Sequence, residues 1–188
     1  MNVGLFGGSF NPPHVCHSLV TIWALQTRRL DEVWWIPTYQ HAFDKRLVDY
    51  EHRRRMCELV TADVRGVRIS DIESELGGES RTIDTVRALE EASPEHDFSL
   101  IVGADILEEA DEWKAWDELM ERVELVVVGR AGYDESPGRE PSTFVLPDVS
   151  STKVREALHQ RDHSWLDDWI PADVLDYVDR HDLYRADE

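Results

Sequence analysis

The chain lacks the features that mark secreted and membrane proteins. Only two of its 188 residues are cysteines, Cys16 and Cys57, which is too few for a disulfide framework. No apolar run approaches the roughly 20 residues that a helix needs to cross a bilayer. The opening segment has neither the basic region nor the long apolar stretch of a signal peptide. These absences predict a protein of the reducing cytoplasm.

Basic side chains are also scarce. Twenty Lys and Arg residues stand against 39 Asp and Glu residues, and the resulting formal net charge of −19 is spread over the whole sequence. A negative surface repels nucleic acid and anionic membranes, so we expect neither as a partner. If the substrates are polyphosphates, the few basic residues near the site must overcome this field.

Short apolar runs alternate with helical patterns, which is typical of βαβ units. The predicted strands are Asn2–Phe6, Glu32–Pro37, Val67–Ile72, Phe98–Val102, Glu124–Gly129 and Thr143–Leu146. The predicted helices are Cys16–Arg28, Tyr50–Ala62, Thr82–Ala92, an irregular pair over Ile106–Arg122, Thr152–Gln160 and Ala172–Arg180. We expect one α/β domain over residues 1–188, with a single doubly wound, mostly parallel sheet and a small C-terminal helical part. Ligands of such sheets bind beyond the carboxyl ends of the strands.

A glycine-containing loop follows the first predicted strand. Gly7 and Gly8 allow the backbone to pass close to a phosphate, and the next helix points its positive end at the same place. His14 and His17 are three residues apart, so on a first helical turn they share one face and can contact one phosphate together. Imidazoles placed in this way can donate hydrogen bonds to oxygens that gain charge in a transition state, without a covalent intermediate.

Other interpretations of this loop remain open at the level of sequence. The two glycines alone also fit a simple tight turn. His14, Cys16 and His17 are potential zinc ligands, although no distant ligand pair accompanies them. The chain has no Gly-Lys-Ser or Gly-Lys-Thr and no G-x-G-x-x-G, which excludes a P-loop kinase and a dinucleotide-binding fingerprint.

A second candidate anion site lies near the C-terminus. The hydroxyls of Ser151 and Thr152, with backbone N–H groups at a helix start, can bind an anion. Arg155 lies one helical turn from Thr152 on the same side. Taken alone, such a segment is more often a helix N-cap.

The two segments together resemble a known family. Gly-Gly-Ser-Phe-Asn-Pro-Pro-His-x-x-His at 7–17 resembles the signature of the nucleotidylyltransferase superfamily, whose usual form ends His-x-Gly-His. Ser-Ser-Thr-x-x-Arg at 150–155 resembles the motif that grips the β and γ phosphates of ATP in that superfamily. The order of elements over almost the entire chain is similar to that of the nicotinate mononucleotide adenylyltransferases. Cys16 departs from the pattern, which has glycine there.

The resemblance implies a Rossmann-like nucleotidylyltransferase fold and a set of site residues. The implied catalytic residues are His14, His17 and Arg155. The implied ATP-binding residues are Gly7, Gly8, Ser9, Phe10, Gly103, Asp105, Ser151 and Thr152. The implied mononucleotide-binding residues are Lys45, Arg81, Thr82, Thr85 and Trp113. No residue is expected to ligate a metal, since the Mg²⁺ that accompanies ATP is bound mainly by phosphate oxygens.

Some of these residues have plain structural alternatives. Asp105 also suits a helix N-cap, Trp113 suits core packing, and Lys45 suits a solvated surface. Arg53 is a second candidate, after Lys45, for a basic residue that reaches substrate phosphate.

Two departures from the family add positive charge. Arg81 and Lys114 stand where the family commonly has tyrosines. We hypothesise that one of them binds the nicotinate carboxylate and so favours the acid over the amide.

The implied function is transfer of the adenylyl group of ATP to nicotinate mononucleotide, in the synthesis of NAD. One alternative is another transferase of the superfamily, acting on nicotinamide mononucleotide, phosphopantetheine or a cytidylyl acceptor. A nucleotide-binding regulator without catalysis is an alternative from a different class. Assembly as a homo-oligomer is left open.

Overall fold

In a computed structural model of the chain, the structure describes residues 1–40, 47–104, 113–130 and 144–185. The strands in these ranges are β1 (Asn2–Gly8), β2 (Glu32–Pro37), β3 (Val67–Ile69), β4 (Asp97–Gly103), β5 (Glu124–Arg130) and β6 (Val145–Leu146). They form one sheet in the order β3-β2-β1-β4-β5-β6, and every neighbouring pair is parallel. The strand order changes direction between β1 and β4, which is the switch point where such sheets bind ligands.

Eight helices accompany the sheet within the described ranges. They are α1 (Val15–Thr27), α2 (Tyr50–Thr61), α3 (Ile72–Leu76), α4 (Thr82–Ala92), α5 (Trp116–Arg122), α6 (Ser151–Gln160), α7 (His163–Trp169) and α8 (Ala172–Arg180). Of the helices in this part of the chain, none combines the length and the apolar character that crossing a bilayer requires.

Helices cover the sheet on both faces, so its central strands are continuous apolar runs. In β2, Val33 and Trp35 join the core that contains side chains of α1, α2, α6, α7 and α8. Trp34 and Ile36 join a separate core with side chains of α4 and α5. Because successive side chains of a strand point to opposite faces, one apolar run serves both cores. The prediction of a doubly wound parallel sheet is confirmed.

The structure differs from the predicted elements at several points. β3 ends at Ile69, before the predicted Ile72, because the Asp71 carbonyl accepts the N–H groups of Ser74 and Glu75 and α3 begins. Neither α3 nor α7 was expected. Of the last predicted strand, only Val145–Leu146 is β structure, and Thr143 lies outside the described residues. The irregular helical pair is described only from residue 113 onward, where α5 occupies its final turns.

Candidate active site

A cavity of about 420 Å³ opens at the carboxyl ends of β1, β2 and β4. Its wall is mostly apolar, because side chains of β1, β2, β4 and α4 line it. The polar side chains of the wall are Ser9, Thr38, Glu73, Ser80, Arg81, Thr82, Thr85 and Lys114, and the glycines are Gly7, Gly8 and Gly103. Trp113 adds an aromatic surface. The cavity therefore lies where the sheet topology predicts a ligand.

Both histidines of the first loop lie at the start of α1. His14 is the N-cap residue and His17 lies in the first turn, with their ring centroids 4.0 Å apart. The backbone N–H of His14 donates to Nδ1 of His17 at 3.1 Å. The same Nδ1 also lies 3.3 Å from the His14 carbonyl. The bond from the N–H is made by the tautomer that carries its proton on Nε2, whereas a bond donated to the carbonyl would need the proton on Nδ1.

Buried aromatic rings support His17 from the core. The Phe10 ring lies 5.0 Å from the His17 ring and stacks on Trp35 with centroids 4.8 Å apart. Trp35 is itself fixed, since its Nε1–H donates to the Thr21 hydroxyl at 2.8 Å. Phe10 adopts a φ of 45°, uncommon for a residue other than glycine, and its 1% exposure shows that core packing holds it there. Phe10 therefore anchors the loop after β1 to the hydrophobic core.

The start of α6 contacts the first loop, across a sequence separation of 139 residues. The Ser151 hydroxyl donates to the Pro12 carbonyl at 2.9 Å, and Nη1 of Arg155 donates to the Asn11 carbonyl at 2.7 Å. Nη2 of Arg155 lies 3.3 Å from the Thr152 hydroxyl. The structure thus brings together the two segments that the sequence marked as phosphate motifs.

The sequence also allowed the segment at the start of α6 to be a helix N-cap, and the residue that caps the helix is the one before Ser151. Ser150 is the N-cap of α6, and its side chain accepts the N–H of Lys153. Capping and anion binding are therefore compatible, because Ser150 caps the helix while the next two residues lie in the first turn beside the loop. We call the group that results the polar cluster, and it consists of His14, His17, Ser151, Thr152 and Arg155.

Arg53 is an internal brace and not a free cation. It is 1% exposed, and its guanidinium donates to the carbonyls of Val48 at 2.7 Å, Ser9 at 2.9 Å and Tyr39 at 3.4 Å. Burial lowers the pKa of Arg53 from its usual value. These bonds tie the first loop to the loop after β2. Lys45, the other basic candidate, lies outside the described residues.

The far wall of the cavity contains four of the predicted mononucleotide-binding residues, which are Arg81, Thr82, Thr85 and Trp113. Trp113 lines the cavity and also packs on the core of α4 and α5, with its ring edge-on to Trp116 at 5.8 Å. Thr82 is the first residue of α4, an 11-residue helix whose positive N-terminal end therefore adjoins the cavity. Thr85 lines the same wall one turn later. Gly103 ends β4 at the cavity, whereas Asp105 lies outside the described residues.

The two cations of this wall are held in ion pairs. Arg81 contacts Glu79 at 2.6 Å, and Lys114 contacts Asp84 at 2.7 Å. Both pairs are partly exposed, and such pairs contribute little to stability, so an incoming carboxylate can compete for either cation. Their selection of an acid over an amide stays a prediction.

Glu73 is a cavity residue that the sequence did not mark. One of its carboxylate oxygens accepts the Tyr39 N–H at 3.0 Å, and the other accepts the Thr85 hydroxyl at 3.4 Å. Burial raises the pKa of Glu73 above its usual value. Glu73 is one of several glutamates in this segment, with Glu75 and Glu79 close by, so the sequence did not distinguish it from its acidic neighbours.

The raised pKa of Glu73 predicts a pH-dependent stability difference. The native state binds this proton more tightly than the unfolded state, so this group stabilises the fold at low pH and loses that contribution as the pH rises through the raised value. Glu73→Gln does not titrate. We therefore expect the free energy of unfolding of the wild type, relative to Glu73→Gln, to increase as the pH falls from above the raised pKa of Glu73 toward the ordinary glutamate value of about 4.3. Urea unfolding at each pH measures it, with the exposed Glu75→Gln as control, and a constant difference would contradict burial of the Glu73 charge.

The zinc alternative gains no support. Within the described ranges, no group of three or more His, Cys, Asp and Glu side chains could hold a metal ion. Cys16 is 3% exposed and belongs to the same core as Val20 and Ala24. Its side chain therefore fills core volume, where the family pattern has glycine.

Comparison with known proteins gives the family. Residues 5–157 match the model of the family described as cytidylyltransferase-like. A protein of Anaeromyxobacter sp. (strain K) named "Probable nicotinate-nucleotide adenylyltransferase" is 41% identical over 187 residues, which cover 98% of this chain and 97% of that protein. A protein of Salinibacter ruber with the same name is 38% identical over 195 residues, with 98% of each chain covered.

Solved structures agree on the fold. The nicotinic acid mononucleotide adenylyltransferase of Plasmodium falciparum, solved in complex with NaAD, superimposes with a TM-score of 0.84 at 20% identity, covering 97% of both chains. The same enzyme complexed with APC gives a TM-score of 0.82 at 19% identity, covering 97% of this chain and 96% of the other. With the family model and the curated relatives, these results show that the chain belongs to the cytidylyltransferase-like family, in its group of nicotinate-nucleotide adenylyltransferases.

Proposed function

We propose that the protein transfers the adenylyl group of ATP to nicotinate mononucleotide, giving nicotinate adenine dinucleotide and pyrophosphate, as a step in the synthesis of NAD. The observation that carries this proposal is the contact of Arg155 and Ser151 with the loop that presents His14 and His17. Donors from both ends of the chain would then surround one anion-binding position. The curated relatives, similar over nearly their whole length, are named for this activity.

The reaction needs no nucleophile from the protein. A 5′-phosphate oxygen of the mononucleotide attacks the α-phosphorus of ATP in line, the new P–O bond forms, and the bond to the β-phosphate oxygen breaks with pyrophosphate leaving. His17 donates from Nε2, together with His14, to α-phosphate oxygens whose charge grows in the transition state. This role requires the tautomer with its proton on Nε2, which is the tautomer whose Nδ1 accepts the His14 N–H.

The start of α6 is suited to the leaving group. Ser151, Thr152 and the guanidinium of Arg155 lie at the positive end of a ten-residue helix. A guanidinium presents a planar fork of donors that matches phosphate oxygens. These groups would hold the β and γ phosphates and stabilise pyrophosphate as it leaves.

The far wall of the cavity would hold the mononucleotide. Trp113 offers a flat face for the nicotinate ring, and the N-terminal end of α4 favours a carboxylate near Thr82 and Thr85. Arg81 and Lys114 add two cations at the same wall.

The donor set fits a metal that arrives with the substrate. The polar cluster offers imidazole, hydroxyl and guanidinium groups and no carboxylate, which suits phosphate oxygens better than a caged hard cation. A magnesium ion would therefore be held mainly by phosphate oxygens of ATP and would offset part of the triphosphate charge.

Gly7 gives a direct prediction about the space that ATP needs. Among the residues that the structure describes, apart from its two chain neighbours, a Cβ at Gly7 would meet no atom within 4 Å, although Gly7 lines the cavity. We expect Gly7→Ala to keep the melting temperature of the wild type and to raise the KM for ATP about tenfold, because the methyl group takes ligand space. Thermal unfolding and steady-state kinetics measure the two effects. Wild-type kinetics in a folded Gly7→Ala protein would show that nothing binds there.

An acceptor panel tests the proposed function. Pyrophosphate release is measured with ATP or CTP and with nicotinate mononucleotide, nicotinamide mononucleotide or phosphopantetheine as acceptor. The expected result is the highest kcat/KM with ATP and nicotinate mononucleotide, and a smaller preference for the acid in Arg81→Ala than in the wild type. Arg87→Ala, which removes a surface cation paired with Glu118, is the matched control. If no pair released pyrophosphate, the alternative of a nucleotide-binding regulator without catalysis would be favoured. If the wild type and Arg81→Ala both used nicotinate and nicotinamide mononucleotide equally well, Arg81 would have no role in selecting the acid.

The proposal extends to organisation and partners. We propose one domain over residues 1–188, acting in the cytoplasm on ATP and nicotinate mononucleotide. The net charge of −19 supports the expectation of no nucleic-acid or membrane partner. A homo-oligomer stays an open alternative, which a mass measurement in solution would decide.

A further inference from the structure

Tyr184, in the turn after α8, reaches the loop that follows β1. Its hydroxyl donates to Oδ1 of Asn11 at 2.9 Å, across 173 positions of sequence. The same amide oxygen accepts the N–H of Val48 at 3.2 Å, and the Asn11 carbonyl accepts Nη1 of Arg155. Asn11, which is 1% exposed, therefore joins four segments of the chain.

The backbone of this turn directs the tyrosine inward. Asp182 has a φ of 54° and Tyr184 a φ of 59°, values that residues other than glycine rarely adopt. Such conformations persist where surrounding contacts hold them, and they concentrate at functional sites. The contact with Asn11 is one such restraint.

The Tyr184 hydroxyl is a permanent donor. Burial raises the pKa of Tyr184 well above its usual value, although the nearby charges of Arg53 and Arg155 oppose the change. The hydroxyl therefore keeps its proton at every pH at which the enzyme would work. Its bond to Asn11 is a fixed structural link and not a pH switch.

We propose that Tyr184 is a positioning residue for the phosphate-binding side of the active site, acting through Asn11. By fixing Asn11, it sets the carbonyl on which Arg155 rests and the loop that leads to His14. This inference rests on the proposed adenylyl transfer. It gives the segment after α8 a part in ATP turnover without any contact with the substrate.

The effect should be confined to one substrate. Asn11 lies in the loop of the polar cluster, and neither Asn11 nor Tyr184 is among the described residues that line the cavity, whose far wall would hold the mononucleotide. Loss of the Tyr184 hydroxyl should therefore change kcat and the KM for ATP and leave the KM for the mononucleotide unchanged. A general loss of folded protein would instead lower activity without this selectivity.

The test compares Tyr184→Phe with Tyr177→Phe. Both changes remove one hydroxyl and keep the ring. The Tyr177 hydroxyl, on α8, lies 2.9 Å from Nδ1 of His52 on α2. We expect Tyr184→Phe to lower kcat/KM for ATP about fivefold, the effect of one lost hydrogen bond, with an unchanged KM for the mononucleotide. Tyr177→Phe should keep wild-type kinetics. Thermal unfolding of both variants tests whether each is folded under the assay conditions.

The possible outcomes separate this inference from the function on which it rests. An inactive wild type refutes the proposed function. An active wild type with an unaffected Tyr184→Phe, or an equal loss in both variants, overturns the role of Tyr184. Binding of a non-hydrolysable ATP analogue, measured by calorimetry, gives an independent readout in which only Tyr184→Phe should bind more weakly.

Discussion

His17→Ala is expected to lower kcat by about 10²–10³, the usual cost of removing one donor to a charge that develops in the transition state. The His17 ring lies in the first turn of α1, where its Nδ1 contacts the His14 backbone and Phe10 packs against the ring. An alanine removes the Nε2 donor and keeps the helix, because alanine is the best helix former. The KM for the mononucleotide should change far less than kcat, because the lost contact forms mainly in the transition state.

His52→Ala is the control for this prediction. His52 lies on α2 and bonds to the Tyr177 hydroxyl, at 2.9 Å, outside the polar cluster. Steady-state kinetics of both variants, with thermal unfolding to establish that each is folded, separate loss of a catalytic donor from loss of any histidine. A folded His17→Ala enzyme with wild-type kcat would refute the role of His17.

Arg155→Ala is expected to lower kcat by about 10² or more, for two reasons that act together. The guanidinium would neutralise charge on the leaving pyrophosphate, and it also holds the first loop through the Asn11 carbonyl at 2.7 Å. Arg155→Lys keeps the charge and loses the fork of donors, so we expect an intermediate loss, on the order of tenfold.

Lys153→Ala controls for loss of positive charge at the start of the same helix. Lys153 pairs with Asp148 at 2.6 Å and takes no part in the polar cluster. Steady-state kinetics of the three variants should give the lowest kcat for Arg155→Ala and an intermediate kcat for Arg155→Lys. The kcat of Lys153→Ala should be close to that of the wild type. If Arg155→Ala and Lys153→Ala were equally affected, general electrostatics and not a specific contact would explain the result.

The sheet was predictable because its strands are short, apolar and separated by helical patterns. Strands that alternate with helices usually form a parallel sheet. Because the motifs follow strands of that sheet, they predicted a candidate site at the carboxyl ends of the strands. The short helices were harder. α3 covers only Ile72–Leu76, and a single turn has too few residues for a periodic pattern. α7 had a usable signal, since Asp162 accepts the N–H of Trp165 as an N-cap.

Contacts of the candidate site that involve sequence motifs were predictable, and contacts that depend only on packing between distant elements were not. The contact between Arg155 and the first loop followed from two recognisable segments. The contacts of Arg53, Glu73 and Tyr184 are hydrogen bonds to backbone or side-chain groups that are distant in sequence. Local sequence does not encode such pairings, because they depend on how remote elements meet in the fold.

The central claim is that the first loop and the start of α6 form one triphosphate site. A crystal structure with a non-hydrolysable ATP analogue tests it most directly. The claim predicts the α-phosphate within hydrogen-bond distance of His14 or His17, and the terminal phosphates on Ser151, Thr152 and Arg155. A nucleotide whose phosphates contact only one of these two groups would contradict it.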